Sequence, residues 1–149
     1  MPSIILPVKD ICAAAASCGC RVLVDGAHAL GQIKIDVQDL AADYYVANCH
    51  KWMLCCRGSG FLFVRRELQA ELLPTVISSN GRASFEKMFE YTGTKDYTPH
   101  LSLIEALNFR AQFGEEELQS YVRTLSLEGS KLLVTAWGTQ CIAADDMTG

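Results

Sequence analysis

The sequence predicts an α/β fold built on a partial, mostly parallel sheet with helices on both faces. Three observations carry this. Short apolar runs rich in β-formers recur in the first half, Val22-Leu23-Val24, Tyr44-Tyr45-Val46-Ala47 and Phe61-Leu62-Phe63-Val64. Stretches with helical spacing separate and follow them, the pattern of strands alternating with crossover helices. The first two runs end directly in polar groups, Asp25-Gly26-Ala27-His28 and Asn48-Cys49-His50-Lys51-Trp52. Open α/β sheets place their ligand sites at such strand ends.

Taken in chain order, residues 4–6 form an apolar strand end, and a helix is expected over 8–17, started by Pro7 and stopped by Gly19. A strand at 21–24, a short helix around 37–42, and strands at 44–47 and 60–65 follow, with Gly58 and Gly60 allowing a tight return between the last two. A short helix is expected over 67–74, then an apolar strand at 75–78 and a polar turn, Ser79-Asn80-Gly81-Arg82. Residues 97–113 read as a helix from Leu101, Ile104 and Leu107, with Pro99 in the first turn. A longer helix over 115–137 shows Leu118, Val122, Leu125 and Leu132 on one side and three acids at its N-terminal end, where the helix dipole favours them.

Composition narrows the function classes. Half of the 149 residues are apolar, a fifth are charged, and the formal net charge is −4. No basic patch points to nucleic acid. No apolar run approaches the roughly 18 residues of a membrane span, and no signal-peptide pattern opens the chain. A cytoplasmic location is the expectation. The seven cysteines, an odd number, read as free thiols rather than a disulfide framework. Cys18-Gly19-Cys20 and Cys55-Cys56 lack zinc-site spacing, so no metal is expected, and Cys141 reads as structural.

The two polar strand ends carry the chemistry. A pyridoxal ring works as an electron sink while its pyridine nitrogen stays protonated, and a buried carboxylate keeps it so. Asp25 is the candidate. The same cofactor needs a lysine whose amine is available to form a Schiff base, a state favoured by partial burial and a neighbouring cation. Lys51 is the candidate, with His50 beside it. Taken singly, Asp25 before Gly26 reads as a turn cap, His28 as a loop histidine and Lys51 as a solvated lysine. Their joint appearance at two consecutive strand ends is what points to pyridoxal 5'-phosphate. Gly58-Ser59-Gly60 is too short for a nucleotide phosphate loop.

These residues also carry a resemblance. Pro2-Ser3-Ile4-Ile5-Leu6-Pro7-Val8, Val24-Asp25-Gly26-Ala27-His28-Ala29-Leu30-Gly31, Ala42-Asp43-Tyr44-Tyr45, Asn48-Cys49-His50-Lys51-Trp52 with Arg57-Gly58-Ser59-Gly60, and Tyr91-Thr92-Gly93-Thr94-Lys95-Asp96 stand in the order seen in class V aminotransferases of fold type I. The chain resembles the isopenicillin N epimerase-like and cysteine lyase-like members. The resemblance implies that Asp25 bonds the pyridine nitrogen, His28 lies near the ring hydroxyl, His50 and Asn48 contact the phosphate, and Lys51 carries the cofactor as a Schiff base. It implies that Thr94 reaches the phosphate of a neighbouring subunit in a homodimer, and that the strand at 60–65 runs antiparallel to the others.

Full members of that family are well over twice as long, so the chain is expected to be an internal fragment of the fold type I large domain. Residues 1–113 would be the C-terminal part of the cofactor domain, and 114–149 the long helix and the start of the linker into a small domain. The implied function is a pyridoxal phosphate-dependent epimerase or carbon–sulfur lyase acting on a small amino acid. The alternative is a truncated, non-catalytic chain that serves as an interaction partner of a full-length relative.

Overall fold

A computed structural model gives the structure of residues 4–148. Its centre is a three-stranded sheet in the order β1-β2-β3, formed by Leu23–Asp25, Tyr44–Asn48 and Gly60–Val64. β1 and β2 are parallel, with Val24 opposite Tyr45 and Asp25 opposite Val46. β3 pairs antiparallel with β2, as the resemblance implies. The four α-helices among the described residues are α1 (Val8–Ser17), α2 (Phe85–Glu90), α3 (Thr98–Ala111) and α4 (Glu115–Trp137).

β2 lies between two strands and alternates with period two, burying Tyr45 and Ala47 and half-burying Tyr44, Val46 and Asn48. Tyr45 stacks on Phe61 of β3 at 6.0 Å between ring centroids. A second apolar cluster, Cys49, Met53, Cys55 and Ala106 with Leu30 and Leu103 against it, joins the loop after β2 to α3. That loop also bonds α3 directly, Cys56 N donating to Ser102 Oγ at 3.0 Å. α4 ends at Gly138, which takes the left-handed conformation (φ 61°) and donates back to Val134 O.

Four expected elements differ. Residues 4–6 form no strand; Ile4 makes an isolated bridge to Thr148, and Ile5 N donates to Met147 O at 2.7 Å. The segment 37–42 is a series of turns rather than a helix. The Asp36 carboxylate takes the amides of Gln38 and Asp39, and Ala41 at φ 54° closes the run, so too few residues remain to nucleate a helix. Of the 67–74 region only Glu67 and Leu68 are helical, as the end of a 3₁₀ turn that spans Arg66–Leu68. Among the described residues, 75–78 find no partner strand, and Val76 and Ile77 are exposed. The short helix α2, which the periodicity did not announce, starts at Ser84, whose hydroxyl accepts from Lys87 N at 3.3 Å.

Candidate functional site

The parallel pairing of β1 and β2 brings the C-terminal ends of both strands to one edge of the sheet. Asp25 closes β1 and Asn48 closes β2, and each strand runs into a tight loop. In the first loop the Asp25 carboxylate accepts from Ala27 N at 3.0 Å, and Ala29 N and Leu30 N both return to Gly26 O. This turn brings His28 round towards β2, and its carbonyl accepts from the Gln32 side chain. In the second loop Cys55 N returns to Cys49 O and Leu54 N to Lys51 O. Cys49 N is held by Ser59 O across the base of the loop.

The two loops meet at two of the candidate side chains. Lys51 Nζ lies 3.2 Å from His28 Nε2, and both residues are half-buried. An ammonium has only protons to give, so Nε2 accepts and the neutral imidazole carries its own proton on Nδ1. That Nδ1 is buried and has no partner among the described residues. Tyr45 Oη is the other buried side-chain polar atom without a partner there. It lies under Gly26, where an added Cβ would stand 1.9 Å from it. Burial, and then the charge of Asp25, push the Tyr45 phenol above its ordinary value.

His50 faces the base of its own loop. Its Nδ1 lies 2.9 Å from Ser59 O and 3.4 Å from Gly58 N. A carbonyl can only accept, so the shorter contact places the proton on Nδ1 and leaves Nε2 as the outward nitrogen. Cys49 and Cys55, packed behind the loop, have thiols pushed up by burial, which makes them core groups rather than nucleophiles.

Five of the six residues singled out from the sequence, Asp25, His28, Asn48, His50 and Lys51, therefore lie on two adjacent strand ends and their loops. Thr94 stands elsewhere in the bonding pattern: it is exposed, and its hydroxyl lies 3.3 Å from that of Tyr91. Asp25 differs from expectation in one respect, since it is exposed rather than buried. β1 is an edge strand, so among the described residues no strand covers the far side of its last residue.

Two contributors were not legible in the sequence. Tyr45 forms the floor beneath Gly26; its only signal was a polar aromatic inside an apolar strand. Arg110, on α3 and 5% exposed, donates to Trp52 O at 2.6 Å and to Gly31 O at 3.0 Å, and pairs with Glu115 at 2.9 and 2.5 Å. This arginine joins both loops from behind.

The donor set fits one kind of ligand. An acid, an amine and two imidazoles lie on two adjacent strand ends and their loops, and a buried imidazole nitrogen, His28 Nδ1, has no partner among the described residues. Comparison with known proteins agrees. Residues 3–147 match the family described as aminotransferase class-V. The chain belongs to the class V aminotransferase family. This is a family of pyridoxal phosphate enzymes. An L-cysteine desulfhydrase-like protein, lolT1 of Epichloe uncinata, is 30% identical over 95% of the chain and 37% of its own length. The isopenicillin N epimerase of Streptomyces clavuligerus is 30% identical over 95% of the chain and 40% of its own length. Among solved structures, the cysteine desulfurase of Thermococcus onnurineus NA1 superposes with a TM-score of 0.77 at 20% identity, over 91% of the chain and 36% of that protein. This likeness establishes the fold type I architecture of the class V aminotransferase chain. The chain spans somewhat over a third of the length of these two curated relatives. No helix among the described residues is long and apolar enough to cross a membrane.

Proposed function

We propose that this class V aminotransferase chain holds pyridoxal 5'-phosphate on Lys51 and serves a carbon–sulfur lyase acting on a small cysteine-like amino acid, with epimerisation as the second reading. The observation that carries the proposal is the 3.2 Å contact between Lys51 Nζ and His28 Nε2, one strand away from Asp25. Desulfhydrase-named and epimerase-named relatives support the two reactions, in that order. Both begin with loss of the substrate α-proton; epimerisation returns a proton to the opposite face of that carbon, whereas the lyase goes on to break the Cβ–S bond and release the sulfur group.

When bound, the cofactor supplies an electron sink for the carbanion formed next to the substrate amine. Asp25 would hold a proton on the ring nitrogen, with one carboxylate oxygen already taken by Ala27 N and the other available at the open end of β1. His28 takes the ring hydroxyl, with Nδ1–H as the available donor. Lys51 would be the attachment point and would carry the proton to or from the substrate α-carbon. The neighbouring His28 ring accepts from the Lys51 amine, which fixes the direction in which that amine points. His50, held to Ser59 O through Nδ1, and Asn48, through its side-chain amide N–H, contact the phosphate. Thr94, on an exposed segment, serves the phosphate of a second subunit in a cytoplasmic homodimer. Residues 1–113 act as the cofactor-domain part and 114–149 as the helix and linker towards a small domain.

The test is an absorbance spectrum of the chain with added pyridoxal phosphate, followed by borohydride reduction and peptide mapping. The expected result is a single adduct on Lys51, lost in Lys51→Ala. Adducts scattered over surface lysines, or an unchanged pattern in Lys51→Ala, would overturn the assignment.

A further inference from the structure

Arg110 carries the molecule's most demanding set of contacts outside the residues already assigned. Its guanidinium is almost fully buried, and burying a cation is costly unless every donor finds a partner. Here the partners are a carboxylate at the start of α4 and two main-chain carbonyls, 58 and 79 residues away in sequence. The carbonyls belong to the two site loops. Trp52 directly follows Lys51, and Gly31 lies three residues after His28. The loops also touch at this point: Gly31 has φ 85°, and a Cβ there would stand 2.9 Å from the Trp52 carbonyl.

We propose that Arg110 is a positioning residue for Lys51 and His28, holding the carbonyls of Trp52 and Gly31 on one guanidinium so that the two side chains meet. A planar fork with several fixed donors suits this task; a lysine ammonium keeps the charge and cannot span two carbonyls and a carboxylate in the same geometry. Glu115 fixes the rotation of the fork. Its carboxylate is held below the usual range by the hydrogen bond from Arg110. The proposal rests on the reading of Lys51 as the cofactor's attachment point only for its functional consequence. The geometric claim stands on the loops alone.

The experiment compares the unsubstituted chain, Arg110→Lys and Lys51→Met by the ring signals of His28 in ¹H–¹⁵N NMR spectra, without cofactor. Lys51→Met supplies the His28 signal in the absence of the lysine contact. In folded Arg110→Lys the His28 signal is expected to move most of the way towards that reference. Trapping of pyridoxal phosphate on Lys51 by borohydride should slow by about tenfold to a hundredfold, the usual consequence of a misplacement near 1 Å. If Arg110→Lys does not fold, Glu115→Gln is read the same way, with a smaller shift in the same direction. A His28 signal that stays at its unsubstituted position in the folded variant overturns the role of Arg110 and leaves the cofactor reading standing. An unsubstituted chain that takes no adduct on Lys51 overturns the cofactor reading, while the His28 signal still judges Arg110.

Discussion

The sheet with its two loops and the long helix α4 solve the problem of burial in opposite ways. Around β2, small and aromatic side chains are packed away almost completely, with Tyr45 and Ala42 each at 1% exposure. α4 is the longest element described and buries no residue fully; Leu132 on its predicted apolar side is 70% exposed. An amphipathic stripe therefore specified that α4 is a helix without specifying a partner for it. Close packing arises where backbone elements are tied by hydrogen bonds from both sides, as β2 is by β1 and β3. Arg110 is the point at which the two regimes are joined.

The largest test of that contrast is truncation on each side of it. Tyr45→Ala should cost about 3–5 kcal/mol, the range for emptying a buried aromatic site, whereas Leu132→Ala should stay within about 0.5 kcal/mol. Denaturant midpoints at constant slope measure both. A comparable loss at Leu132 would mean that α4 is packed in solution, and the contrast would fail.

Glycine offers a sharper version with a change of sign. At Gly26 a methyl group would meet the Tyr45 hydroxyl and ring inside the core, so Gly26→Ala should destabilise by about 1–3 kcal/mol. Gly129 sits inside α4 with nothing within 4 Å of an added Cβ, so Gly129→Ala should stabilise by about 0.5–1 kcal/mol through helix propensity. Thermal unfolding of the two variants should move in opposite directions.

The smallest expected effect is alkaline. Burial raises the Cys49 and Cys55 thiols above their ordinary value of 9.0, so the unfolded chain ionises first. Their contribution is complete below that value and is lost as pH rises towards the folded-state values. Unfolding free energies measured at about pH 8 and about pH 10 should therefore fall, and the fall should shrink in Cys49→Ala.

Legibility in the sequence followed the range of the interactions. α1 and α4 match their expected bounds because a proline start, a run of alanines, an acidic first turn and a glycine stop all act within a few residues. α3 was expected over 97–113 and spans Thr98–Ala111, a difference of fraying at the ends. Residues 75–78 have strand composition and no strand, because a strand needs a neighbour's hydrogen bonds, which composition does not supply. The segment 37–42 was lost to Asp36, whose side chain competes for the local amides. Asp25, His28, Asn48, His50 and Lys51, the candidates named from motif order and from the resemblance, fall together on two adjacent strand ends because a strand end places the residues after it in predictable positions. Arg110 could not, since each of its carbonyl partners lies more than fifty residues away.

By itself the sequence determined the class of fold, the family and the chemical types that line the site, since each depends on patterns local in the chain. The tertiary structure alone decided that Lys51 meets His28 rather than solvent, that Tyr45 forms a floor under Gly26, and that one buried guanidinium holds both loops. Those are contacts between segments whose separation in sequence places no limit on their distance in space. Only the hydrogen-bonded pairing of β1 with β2, and the helix packed behind them, sets that distance.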